Sequence, residues 1–165
     1  MTIKGISHIH ICVANVEKSL EFYRGILGLT IKTHTQQMLD RPGAKSLGTY
    51  SRLRTSRTVA DIYFDDADSP QPVLVLTSHP GQLDGNPIKF NEKGITNIAF
   101  QVDNIESHAR MLSEREVTVA GNISDFRNQS GQMRTVFVYD PDGNLVQFHV
   151  GFSRDKFNDY QEPPK

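Results

Sequence analysis

Tryptophan is absent from this chain, and cysteine occurs once, as Cys12. A lone cysteine excludes an internal disulfide and any cysteine-based zinc site. No apolar run approaches the roughly 20 residues that cross a bilayer as a helix, so no membrane partner is expected. The opening residues MTIKG lack the basic-then-apolar layout of a secretory signal, which predicts a cytoplasmic protein. An excess of one charge is missing too: 18 Lys and Arg stand against 19 Asp and Glu, a net charge of −1. That balance argues against a nucleic-acid partner. There is no phosphate-cradling glycine loop, no nucleophile elbow and no dinucleotide fingerprint. What remains is a chain of 165 residues, 37% hydrophobic, long enough to bury a core without staples.

What the chain does have is an internal repeat. Residues 5–16, GISHIHICVANV, align with residues 94–105, GITNIAFQVDNI, at an offset of 89. Gly5, Ile6, Ile9, Val13 and Asn15 fall on Gly94, Ile95, Ile98, Val102 and Asn104. A period of about half the chain means a duplicated module rather than a solenoid. Each copy opens as a strand, with Ile9, Ile11 and Val13 alternating against His8, His10 and Cys12. A helix follows, capped by Asn15 in one copy and by Asp103 or Asn104 in the other. Its apolar stripe is Val16, Leu20, Tyr23 and Leu27 in the first, and Ile105, Ala109 and Leu112 in the second. Gly28 suits the C-terminal end of the first helix.

Three strands are expected after each helix: 30–35, 58–65 and 72–77, then 117–124, 134–140 and 144–151. The turn Asp140-Pro-Asp-Gly-Asn144 joins the last two. The fold class is therefore α+β, two tandem βαβββ modules over residues 4–77 and 94–151. The Gly-, Pro- and Asn-rich segment 78–93 links them, residues 36–57 form an insertion, and 152–165 form a polar tail.

Three segments carry a resemblance: HIHICVANVEKSLEFYRGILGL, ITNIAFQVDNI and YDPDGNLVQFHV. In this order, with the duplication, they resemble the vicinal oxygen chelate superfamily, the glyoxalase, bleomycin-resistance and extradiol-dioxygenase group. The likeness spans residues 4–151. It implies a glyoxalase-like fold, in which the two modules form one domain and a curved mixed sheet surrounds a cup. Metal-binding members carry one ligand on the first and one on the last strand of each module. By position these fall on His8, Val75, Asn97 and Gln147. Only His8 is retained, valine cannot ligate, and the two amides are neutral, so neither a metal nor another cofactor is expected.

Strand alternation puts His8 with His10, and Gln147 with His149, on shared faces. The resemblance directs all four toward the cup. His8, His10 and His149 are therefore the candidate acid/base set, since imidazole titrates near neutral pH. Asn97, Ala99, Gln147 and Val75 are the candidate ligand-binding positions. The same three histidines are also open to two other roles: a rearranged metal site, or mutual hydrogen bonding that merely fills a polar cup. Cys12, with no basic neighbour, is expected to be a buried small hydrophobe. The insertion holds Arg41, Lys45, Arg52, Arg54 and Arg57, expected as a solvated loop balanced by Asp61, Asp65, Asp66 and Asp68; the alternative is a rim of the cup that clamps a carboxylate or phosphate. Met38, Leu39, Tyr50 and Leu53 there suit a ligand cover or a contact between copies.

The function expected is action on a small oxygenated organic molecule by a metal-independent lyase, isomerase or cyclase using histidine chemistry. The alternatives are a non-catalytic binding protein that sequesters an antibiotic-type molecule, and a metal-dependent glyoxalase or dioxygenase with rearranged ligands. The resemblance also implies a homodimer.

Overall fold

The structure is a computed structural model that describes residues 2–3, 5–39, 50–51, 54–64, 72–81 and 85–151. The chain forms two compact units, Met1–Pro87 and Ile88–Lys165.

In unit one the elements are β1 (His8–Cys12), α1 (Val16–Leu20), β2 (Thr30–Met38), β3 (Ser56–Tyr63) and β4 (Val73–Ser78). Asn15 caps α1 as its side chain accepts from the Lys18 backbone N–H. The helix then widens into a π-helical stretch, Glu21–Ile26. Its buried residues include Val16, Leu20 and Tyr23 of the expected stripe, whereas Leu27 is only half-buried. The sheet order is β1-β4-β3-β2, with β1 parallel to β4 and the other pairs antiparallel. One face is apolar, with Leu74 and Leu76 of β4 and Ala60 and Ile62 of β3 buried. The opposite face carries His8, His10, Arg57, Asp61 and Tyr63.

Unit two comprises β5 (Asn97–Gln101), α2 (Ile105–Glu114), β6 (Thr135–Tyr139) and β7 (Leu145–His149). Asn104 caps α2, accepting from the Ser107 N–H at 3.0 Å. Ile105, Ala109 and Leu112 are buried beside Val136, Val138, Val146 and Phe148. The order is β5-β7-β6, with β5 parallel to β7 as β1 is to β4. The buried Asp140 side chain accepts from the Asp142 and Asn144 N–H groups, closing the expected hairpin turn.

Three expectations are corrected. Residues 117–124 do not form a strand. Val119 makes only a single bridge to Val138, because the chain turns at Gly121 (φ 117) and enters a short 3-10 helix, Ile123–Phe126. Asn122 and Asp125 cap that turn reciprocally, which ends any pairing with β6. The 36–57 insertion is shorter than expected, since β2 runs to Met38 and β3 begins at Ser56. Arg57 is consequently a sheet residue. Cys12 is exposed, because alternation on the edge strand β1 turns it away from the helix. Leu39 is buried and Met38 exposed, whereas Arg41, Lys45, Arg52, Leu53, Asp65, Asp66 and Asp68 lie outside the described residues, as does the 152–165 tail.

Candidate functional site

The open face of unit one is concave, with a cavity of about 450 Å³. β1 contributes His8 and His10, β4 Val73 and Val75, and β3 Arg57, Asp61 and Tyr63, with Gln37 from β2. Each faces the cavity because alternate residues of a strand share a side. In the register, Val75 lies opposite both His10 on β1 and Asp61 on β3. The residue expected at a family ligand position is thus an apolar spacer between an imidazole and a carboxylate.

Each polar group here is oriented by a neighbour. His10 Nε2 is hydrogen-bonded to Thr77 Oγ1, on the buried side chain of Thr77. His8 Nδ1 pairs with Ser7 Oγ at 3.0 Å. Arg57 Nε donates to Gln37 Oε1 at 2.9 Å, and Thr33 Oγ1 donates to Asp61 Oδ2 at 2.5 Å. A register shift between Ile31 and Thr33 accompanies the placement of the Lys32 ammonium 4.3 Å from the Tyr63 ring centroid. Desolvation lowers the His10 pKa from 6.5. The Arg57 charge lowers it further, and Asp61 opposes the shift. The imidazole is therefore held neutral, the form that accepts a proton.

The remaining candidates belong to unit two. Asn97 Nδ2 donates to Gln147 Oε1 at 3.0 Å, and Gln147 Nε2 donates to Thr135 Oγ1 at 3.0 Å. Ala99 lies opposite Gln147 in the register, and His149 opposite Gln101 and Thr135. His10 takes Thr77 as its partner within unit one. Arg57 and Asp61 were read from sequence as loop and balancing charges. The signal for them is the alternation of Arg57, Val59, Asp61 and Tyr63, which becomes visible once β3 is known to begin at Ser56. Arg54 instead donates to the Pro80 carbonyl, and Tyr50 packs edge-on against His79.

A profile described as the Glyoxalase/Bleomycin resistance protein/Dioxygenase superfamily matches residues 5–148. The chain belongs to this superfamily. The metallothiol transferase FosB of Staphylococcus haemolyticus is 28% identical over 97% of this chain and 93% of its own length. Among solved structures, a glyoxalase family protein from Bacillus cereus superimposes with a TM-score of 0.70 at 14% identity, over 91% of this chain and 95% of that one. The fosfomycin resistance protein FosX of Listeria monocytogenes gives 0.59 at 17% identity, over 96% and 100%. The glyoxalase-like α+β fold implied by the sequence is thus the fold of this chain. No helix among the described residues is long and apolar enough to cross a membrane.

Superfamily members named for a metal raise the question of whether this donor set fits one. Unit one offers His8 and Val75 at the inherited positions, a single donor. Unit two offers Asn97 and Gln147, two neutral amides already spent on each other and on Thr135. Divalent ions are held by imidazoles, carboxylates or thiolates in sets of three or four. These positions do not fit a divalent metal.

Proposed function

We propose that this protein binds a small oxygenated organic anion on the open face of unit one and acts on it by metal-independent proton transfer, as a lyase or isomerase. The carrying observation is His10 hydrogen-bonded to Thr77 in a cavity that also holds Arg57. With Nε2–H donating to Thr77, His10 Nδ1 carries the lone pair and takes the proton. With Ser7 donating to its Nδ1, His8 presents Nε2–H to a substrate oxygen. The Arg57 guanidinium, steadied by Gln37, meets the anionic group. Val75 gives the cavity an apolar wall. The FosX structure solved with Mn(II) and 1S,2S-dihydroxypropylphosphonic acid shows that a relative of this fold takes a small oxygenated anion, which supports the substrate class.

The test is deuterium exchange. Full-length protein is incubated in D₂O with small 2-oxo acids, hydroxy ketones and hydroxyphosphonates, and exchange next to the oxygenated carbon is followed by NMR. Exchange that falls at least about a hundredfold in His10→Asn supports the reading, in line with the size of general-base effects. Exchange untouched by His10→Asn overturns it. Binding with no exchange in any arm selects sequestration instead.

A further inference from the structure

We propose that the outer edge of β2 is an interface between two copies of this chain, joined by antiparallel β2–β2 pairing around Thr35. β2 ends the sheet of unit one. It pairs with β3, and among the described residues no strand covers its other side. It is nine residues long, and residues 32–38 are all exposed. Such an edge carries a row of backbone N–H and C=O groups that another extended chain satisfies in register.

The edge lacks the features that usually prevent such pairing. No proline interrupts it. Its one fixed charge, Lys32, is drawn over the Tyr63 ring at 4.3 Å, and His34 Nε2 lies 3.1 Å from Glu17 Oε1 of α1. The register shift between Ile31 and Thr33 falls near the start of β2, so residues 33–38 run in unbroken register with β3. Unit two treats the same stretch differently. At the offset of 89, residues 30–38 fall on 119–127. There Val119 makes a single bridge to Val138, and the Ala120 N–H donates to the Phe137 carbonyl. The chain then leaves the sheet for the 3-10 helix. Of two copies of one module, one has its outer strand cut short and the other keeps it long and open.

A second copy suits this edge better than a foreign peptide. A two-fold axis normal to the sheet makes two β2 strands antiparallel, so the edge meets its own complement. Centred on Thr35, the pairing sets Thr33 opposite Gln37 and His34 opposite Gln36. No like charges meet. An edge with so little charge offers little to select the sequence of a foreign peptide. Thr33 and Gln37 also orient Asp61 and Arg57, so the seam borders the open face of unit one.

The test follows full-length protein over a dilution series by sedimentation, with amide hydrogen exchange read in parallel. A monomer–dimer equilibrium is expected, in which the outward amides of residues 31–38 gain protection as concentration rises. Thr35 is exposed and has no part in the proposed chemistry, so its variants probe the edge alone. Thr35→Lys and Thr35→Glu should each weaken self-association at least about fivefold, since like charges directly opposite one another repel. An equimolar mixture of the two should restore it, and Thr35→Val should leave it intact. A chain that stays monomeric, a dimer indifferent to both charged variants, or two weakened variants that do not rescue each other would each overturn the proposal. So would amide protection that does not change with concentration.

Discussion

Asn97 and Gln147 satisfy each other: the amide of one donates to the carbonyl oxygen of the other at 3.0 Å. Two positions that hold metal ligands in other members of the superfamily are here a neutral, paired unit. Purified protein should therefore carry well under one equivalent of zinc, nickel, iron or manganese by elemental analysis. Near-stoichiometric metal that disappears in His8→Ala would contradict this and favour a rearranged histidine site. Gln147→Ala should also cost about 1–2 kcal/mol in chemical denaturation, because Asn97 and Thr135 each lose a part-buried partner.

The pH profile reports on His10. Its pKa is lowered from 6.5, chiefly by desolvation and then by Arg57. If His10 is the base, the acid limb of kcat/KM lies below pH 6.5. Arg57→Gln removes a lowering charge and should move that limb to higher pH. Asp61→Asn removes a raising charge and should move it lower. A limb that responds to neither substitution would assign the base elsewhere.

Arg57 should matter for binding more than for the proton transfer itself. Arg57→Ala is expected to raise KM about tenfold for an anionic substrate, with a smaller change for a neutral analogue of the same shape. Steady-state kinetics on the paired substrates checks this, and equal effects on both would remove the anion-anchoring role.

His108 ties stability to pH. Its ring packs 4.3 Å from that of Phe148, its Nε2 is buried without a hydrogen-bond partner, and burial lowers its pKa. The folded state therefore favours the neutral ring, and the unfolded chain binds the proton more readily. This contribution is intact above pH 6.5 and is lost as pH falls below it toward the folded pKa. Urea midpoints for the wild type should drop between pH 7.5 and 5.5, and His108→Leu should flatten that drop. The same variant should be about 1 kcal/mol more stable at neutral pH, since it removes the unpaired polar atom. An unchanged slope would show that another group governs the loss.

Association is expected to be dimeric. The superfamily resemblance implies this, and Met38, 59% exposed, is a candidate contact residue. Light scattering should report twice the chain mass of 18.6 kDa, and a value of 18.6 kDa would refute the dimer.

Much of the fold was legible because it is written in local chemistry and in duplication. Gly5 and Gly94 adopt φ 152 and 151, the same backbone state 89 residues apart. Asn15 and Asn104 both cap helices, and the Val13 and Val102 N–H groups both extend a parallel ladder. Residues 117–124 misled because their β-branched content reads as a strand, while Gly121 and the Asn122–Asp125 cap turn the chain. Arg57 was placed in the insertion for a related reason: a charged residue looks like a loop until the strand boundary that gives it a face is known.

The sequence by itself determined the repeat, the caps, the buried stripes and the Asp140–Asn144 turn, since each depends on residues close along the chain. It also determined that His8 and His10 share a face, because period-two alternation is a local property. Only the tertiary structure decided what faces them. The pairing of β1, β4 and β3 brings Val75, Thr77, Asp61 and Arg57 alongside His10, and strand register is set between segments far apart in sequence. The lowered pKa of His10 follows from that pairing: desolvation and the Arg57 charge on β3 both favour the neutral ring, and Asp61 opposes them.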